Sequence, residues 1–99
     1  MTLAVGFYEE MGPGGVAQAR EVFPWHTAYA DEFKNSGDLL MIGTFADPVA
    51  DGSMAIFRSR EAAEGFVAGD PFVVEGVVAR WRILDWNAEA PATVLPGAG

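Results

Sequence analysis

The 99-residue chain has no cysteine, a single histidine and a single lysine. Without cysteine there is no disulfide scaffold, no thiolate metal site and no cysteine nucleophile. One histidine leaves too few soft ligands for a tight transition-metal site. The acids are scattered without the spacing of a calcium loop, so neither a metal nor another cofactor is expected. Bases are scarce as well, 6 against 14 acids for a formal charge of −8. The clustered Lys and Arg that hold a phosphate backbone are missing, which excludes nucleic acid as a partner, and the same field disfavours an anionic membrane surface. No apolar run approaches the roughly 18 residues of a membrane span. The opening MTLAVGFYEE lacks a basic n-region and turns acidic at once, so a cytoplasmic location is expected. MGPGG, residues 11–15, lacks the lysine and the strand–helix setting of a phosphate-binding loop.

What is present is a core. Hydrophobic residues make up 51% of a chain long enough for one domain and too short for two. Leu3, Val5 and Phe7 alternate with Ala4, Gly6 and Tyr8, a half-buried strand. Ala19, Phe23, His26, Ala30 and Phe33 form one stripe of a helical period within residues 16–36. Pro24 is expected to split that segment into a short turn and a main helix, with Gly37 as a left-handed cap. Residues 39–45 and 54–58 read as a hairpin across the turn residues Asp47-Pro48 and Asp51-Gly52. Ser59 caps a second helix with Ala62, Ala63, Phe66 and Val67 on its apolar face, stopped at Gly69-Asp70-Pro71. Residues 77–86 form the longest strand, with Val78, Arg80, Arg82, Leu84 and Trp86 on one face. The domain is expected to span 1–87, followed by a flexible or dimer-swapped tail, 88–99.

The order β-α-β-β-α-β points to an α+β, ferredoxin-like protomer, a four-stranded antiparallel sheet with two helices on one face. The other face is too apolar for water, so a homodimer through the open sheet face is expected.

Chemistry centres on His26, whose imidazole exchanges a proton near neutrality without help. Its place on the apolar stripe turns it inward, which equally suits a buried structural imidazole. Asp70 follows a helix C-terminus, where the dipole disfavours a carboxylate, and an Asx turn before Pro71 would explain it. Both helices pack on one sheet face, however, so the two side chains can meet, the carboxylate orienting the ring and freeing its second nitrogen to act on a ligand. Arg80 and Arg82 are candidates for an anion or phenolate anchor, or for ion pairs across the dimer. Trp25, Tyr8 and Trp86 are candidates for an aromatic pocket, and Ser53 for a ligand hydrogen bond.

Several features in order resemble the YCII-related proteins. They are Pro24-Trp25-His26; Gly37, Leu39-Leu40 and Gly43; Ser53 to Phe57; and EAAEGFVAGDPFVVEGVV, residues 61–78, with Trp86 closing the match over roughly residues 3–87. The resemblance implies a dimeric α/β-barrel and a His26–Asp70 dyad with Ser53 nearby. It also implies chemistry like that of dehydrochlorinases of hydroxylated aromatics, or of lactone isomerases. Thr44 stands where Pro is usual after the glycine, and Phe23 where many members have Arg; the loss of that Arg argues against an anionic ligand contact at this position and suggests a more apolar substrate. Two functions are therefore expected in competition: a small acid–base lyase or isomerase, and a noncatalytic module that binds a small metabolite. A purely structural His–Asp contact is the third possibility.

Overall fold

The computed structural model describes residues 1–89. Four strands, β1 (Thr2–Met11), β2 (Leu39–Thr44), β3 (Ser53–Phe57) and β4 (Val78–Asn87), form one antiparallel sheet in the order β2-β3-β1-β4. The long helices are α1 (Gly15–Phe33) and α3 (Arg60–Gly69); two single turns, α2 (Pro48–Asp51) and α4 (Pro71–Val74), complete the chain. This is the ferredoxin-like α+β arrangement. Residues 90–99, most of the expected tail, lie outside the described residues. Among the described residues no helix is long and apolar enough to cross a membrane.

Small residues let the layers meet. Ala4 and Ala63 are completely buried, and Phe57 and Phe66 fill the space beside them at 1% exposure each. The four form one cluster with Ala30 and Leu39. Phe33 closes it with its ring edge-on to both phenylalanines, at centroid distances of 6.3 Å and 5.1 Å. Burying each phenylalanine contributes about 1.5–3 kcal/mol. Ser59 caps α3 as the sequence suggests, accepting from the Ala62 N–H at 3.1 Å, and every residue of the expected apolar face is buried. Gly37 takes φ 79°, the left-handed cap, after a 3-10 turn over Lys34–Ser36.

The structure corrects two expectations and refines a third. Pro24 does not divide the first helix, because α1 runs unbroken through it. Pro24 and Arg20, whose carbonyl loses its helical partner, are both exposed, so water can take the place of the missing donor. The expected hairpin of β2 and β3 is present, and its turn is a helical one, with Asp47 accepting from the Ala50 N–H at 3.2 Å. Val78, expected on the open face, is buried: the pairing of β1 with β4 shifts register twice between Tyr8 and Met11.

The helices treat the sheet differently. α3 packs directly on β1, β3 and β4, whereas α1 rests mainly on α4. The half of the sheet beneath α1 is consequently left partly uncovered, and the cleft described next lies there. The opposite face of the sheet exposes Met41, Leu84 and Trp86 at 46%, 40% and 46%.

Candidate active site

Among the described residues Asp70 is the only charged or polar side chain that is fully buried, at 0% exposure. Its backbone ends α3 and begins α4, and this double position answers the electrostatic objection raised by the sequence. The carbonyl end of α3 is occupied by other donors: the Asp70 N–H bonds the Phe66 carbonyl at 3.0 Å, and the Tyr29 hydroxyl bonds it at 2.9 Å. The carboxylate itself turns into the first turn of α4, where Oδ1 accepts from the Phe72 N–H at 3.0 Å. Oδ2 accepts from the Tyr8 hydroxyl of β1 at 2.5 Å, and Oδ1 meets His26 Nδ1 of α1 at 2.8 Å. No buried side-chain nitrogen or oxygen among the described residues lacks a partner.

This network fixes the imidazole. Burial, followed by the adjacent Asp70 charge and its hydrogen bond, raises the Tyr8 hydroxyl far above the usual tyrosine value of 10.0. Tyr8 therefore remains a donor, as the Phe72 amide must. The carboxylate can only accept from both, so the neutral imidazole places its proton on Nδ1. Nε2 is then left with its lone pair, and no protein group among the described residues bonds it. The ring is held flat against Phe72, with centroids 4.1 Å apart and planes 5° from parallel.

The raised Tyr8 value has a consequence for stability. The unfolded chain gives up tyrosine protons near pH 10, while the folded one keeps that of Tyr8. The stabilisation is thus complete below about pH 10 and falls away as pH rises beyond it. Tyr8→Phe has no such proton, so its decline in urea midpoint above pH 10 should be shallower than that of wild type. At neutral pH it should lose about 1–3 kcal/mol, because the buried carboxylate loses a donor. Parallel alkaline declines in the two proteins would show that Tyr8 is not held in this way.

His26 opens onto a cleft of about 320 Å³ between α1 and the β2–β3 side of the sheet. Its floor is small, with Gly6 and Ala55; a Cβ on Gly6 would sit 3.3 Å from the Phe57 ring. Phe23 and Phe72 stand beside the imidazole, and Ser53, Thr44 and Thr27 supply hydroxyls to the wall. His26, Ser53 and Phe23 of the expected site are therefore brought together, with Asp70 directly behind His26.

Arg80 and Arg82 are not brought there. Arg80 pairs with Glu9 and Glu10 at 3.1 Å each, and Arg82 pairs with Glu9 while lying 5.5 Å from the centre of the Phe7 ring. Both arginines are thus engaged within the chain, and neither lines the His26 cleft. Of the three aromatic candidates only Tyr8 lines it; Trp25 is 65% exposed, and Trp86 lies on β4 opposite Leu3, on the open face. The sequence reading missed Tyr8 as the donor to Asp70: Leu3, Val5 and Phe7 are the larger apolar set of β1, yet Ala4 and Tyr8 are the ones that pack with the core beneath the helices. It also missed Thr27, Asp31 and Lys34, which follow His26 at one, five and eight residues along α1 and line the same cleft. Among the described residues no three His, Asp or Glu side chains are placed to hold a metal ion.

Fold and site together define a ferredoxin-like domain whose helix–sheet cleft is floored by small residues and backed by a buried, histidine-bound carboxylate. The model of the YCII-related domain matches residues 5–87, and the chain belongs to that family. No curated protein sequence matches it. Among solved structures it is similar to the 5-chloro-2-hydroxyhydroquinone dehydrochlorinase of Burkholderia phenoliruptrix in complex with 2,5-dihydroxybenzoquinone. The TM-score is 0.65 at 22% identity, over 90% of this chain and 96% of that one. At that identity the likeness is one of fold.

Proposed function

We propose that this domain is a small-molecule acid–base enzyme, a lyase or isomerase acting on a hydroxylated ring, with His26 as the proton-transfer residue and Asp70 as its positioning partner. The observation that carries the reading is the 2.8 Å contact between His26 Nδ1 and a carboxylate wholly removed from water. Two bonds of that carboxylate, from Tyr8 and from the Phe72 amide, serve the fold, whereas the third orients the single histidine that lines the cleft, a use that offsets the cost of burying a charge. The name of the similar structure suggests the reaction class, elimination of chloride from a chlorinated hydroquinone. Nε2 would take a hydroxyl proton and return a proton to the chlorine-bearing ring carbon. Chloride would then leave as a second hydroxyl gives up its proton, which yields a quinone and balances as loss of HCl. With Arg80 and Arg82 occupied elsewhere, the hydroxyls of Ser53, Thr44 and Thr27 are the wall groups that would bond a ring oxygen.

The test is a screen of chlorinated hydroxyhydroquinones and lactones with wild type, His26→Ala and Asp70→Asn. Nitrogen NMR of the single histidine accompanies it, and should show the Nδ1–H tautomer in wild type and a mixture in Asp70→Asn. Retained turnover in His26→Ala would reject the enzyme reading in favour of a binding module.

The open sheet face belongs to the same proposal, as the surface of a homodimer. Leu84 and Trp86 stand on β4 opposite Val5 and Leu3 of β1 and form one apolar band with them. Leu84→Asp should convert a dimer to a folded monomer in light scattering. A wild-type protein that is monomeric at high micromolar concentration would refute the dimer.

A further inference from the structure

The His26 cleft does not end at Phe23. A second hollow of about 320 Å³ adjoins it and shares Tyr8, Phe23, Thr44, Ser53 and Phe72 as walls. The two are halves of one groove beneath α1, divided where the Phe23 ring approaches Phe72 with centroids 6.4 Å apart. Arg20, Phe23 and His26 succeed one another at intervals of three along α1. This row crosses the groove from the second half to the first and spans about 9 Å of helix axis.

Arg20 lines the second half and differs from the other arginines. Arg58 bonds the Gly37 carbonyl, Arg60 bonds Asp85 and the Ile83 carbonyl, and Arg80 and Arg82 hold Glu9 and Glu10. Arg20 makes no ion pair or side-chain hydrogen bond among the described residues. The two acids in the same wall, Glu9 and Glu10, are the ones that Arg80 and Arg82 engage. Arg20 thus stands in the groove wall with its guanidinium unengaged by any acid among the described residues, and a planar fork of donors suits a carboxylate. In a chain of net charge −8 an anion gains nothing from the overall field, so a preference for one must come from a local cation.

We propose that Arg20 is the specificity-determining residue of this groove. It would bind a carboxylate, or a comparable anionic group, on the side arm of a ligand whose hydroxylated ring rests against His26. Phe23 would be the divider over which the arm passes. This rests on the reading of the His26 cleft as a ligand site.

The probes are a hydroquinone bearing a propanoate arm and the methyl ester of the same compound. Binding is followed by the His26 ring resonances and by calorimetry. Wild type should bind the carboxylate about tenfold more tightly than the ester, the weight of one charge-assisted hydrogen bond. Arg20→Gln should bind the two alike, and Arg20→Lys should keep part of the preference. Lys34→Gln, at the opposite end of the first half, should keep all of it. If both probes move the His26 signals but bind wild type equally, the Arg20 assignment falls while the cleft remains a ligand site. If the preference disappears in Lys34→Gln instead, the anion lies at the other end and the proposal is overturned. If neither probe moves His26, the ligand site and the Arg20 assignment fall together.

Discussion

His26→Ala should lower turnover by about 10²- to 10⁴-fold, the usual weight of general acid–base catalysis, while leaving a folded protein. The substitution removes a half-buried ring that lines the cleft and leaves in place the aromatic cluster of Phe33, Phe57 and Phe66, of which His26 is not a member. His26→Gln separates the two duties of the ring. Its amide can still donate to Asp70, so the buried carboxylate keeps a partner, but it cannot accept and release a proton. Chloride release by both variants, compared with wild type under single-turnover conditions, is the measurement. Equal loss in both places the defect in proton transfer. Loss in His26→Ala alone, with activity kept in His26→Gln, would make the histidine a structural donor.

The second large effect concerns stability. Asp70→Ala should cost about 3–5 kcal/mol, because it strands partners that the carboxylate alone satisfies. The Tyr8 hydroxyl and His26 Nδ1–H would be left facing a dry hole, and the Phe72 amide would lose its cap. Against a domain total of about 5–15 kcal/mol, that is a large fraction. Asp70→Asn should cost less, since an amide oxygen can still accept from Phe72 while its nitrogen faces Tyr8. Urea midpoints at constant slope give both values. A loss below about 1 kcal/mol in Asp70→Ala would show that the carboxylate does not tie the elements together.

The contrast between what could be read from the sequence and what could not follows from range. The Ser59 cap, the Gly37 cap and the Ala62–Val67 face of α3 depend on neighbours within a turn or two, and each lies in the structure as its local pattern suggests. The meeting of His26 with Asp70 was also legible, because two helices on one sheet face leave few places for inward side chains. Pro24 was misread because its cost depends on whether the freed carbonyl meets water, which no local pattern states. α4 was hidden for a different reason. After Pro71, FVV consists of aromatic and β-branched residues with strand propensity, and the Asp70 cap, Pro71 at the first position and packing against α1 hold the segment helical. The partners of Arg80 and Arg82 were invisible because Glu9 and Glu10 are some seventy residues away in the chain and reach them only through the β1–β4 register.

The stacking of His26 on Phe72 has one more consequence. A proton bound to an imidazole carbon, lying over the face of a phenyl ring 4.1 Å away, sits in that ring's shielding current. Its resonance should therefore stand upfield of an ordinary histidine, and should return to the usual place whenever α4 lifts from α1. With one histidine in the chain, a single line in the proton spectrum reports, at any temperature or denaturant concentration, what fraction of the molecules has the cleft assembled.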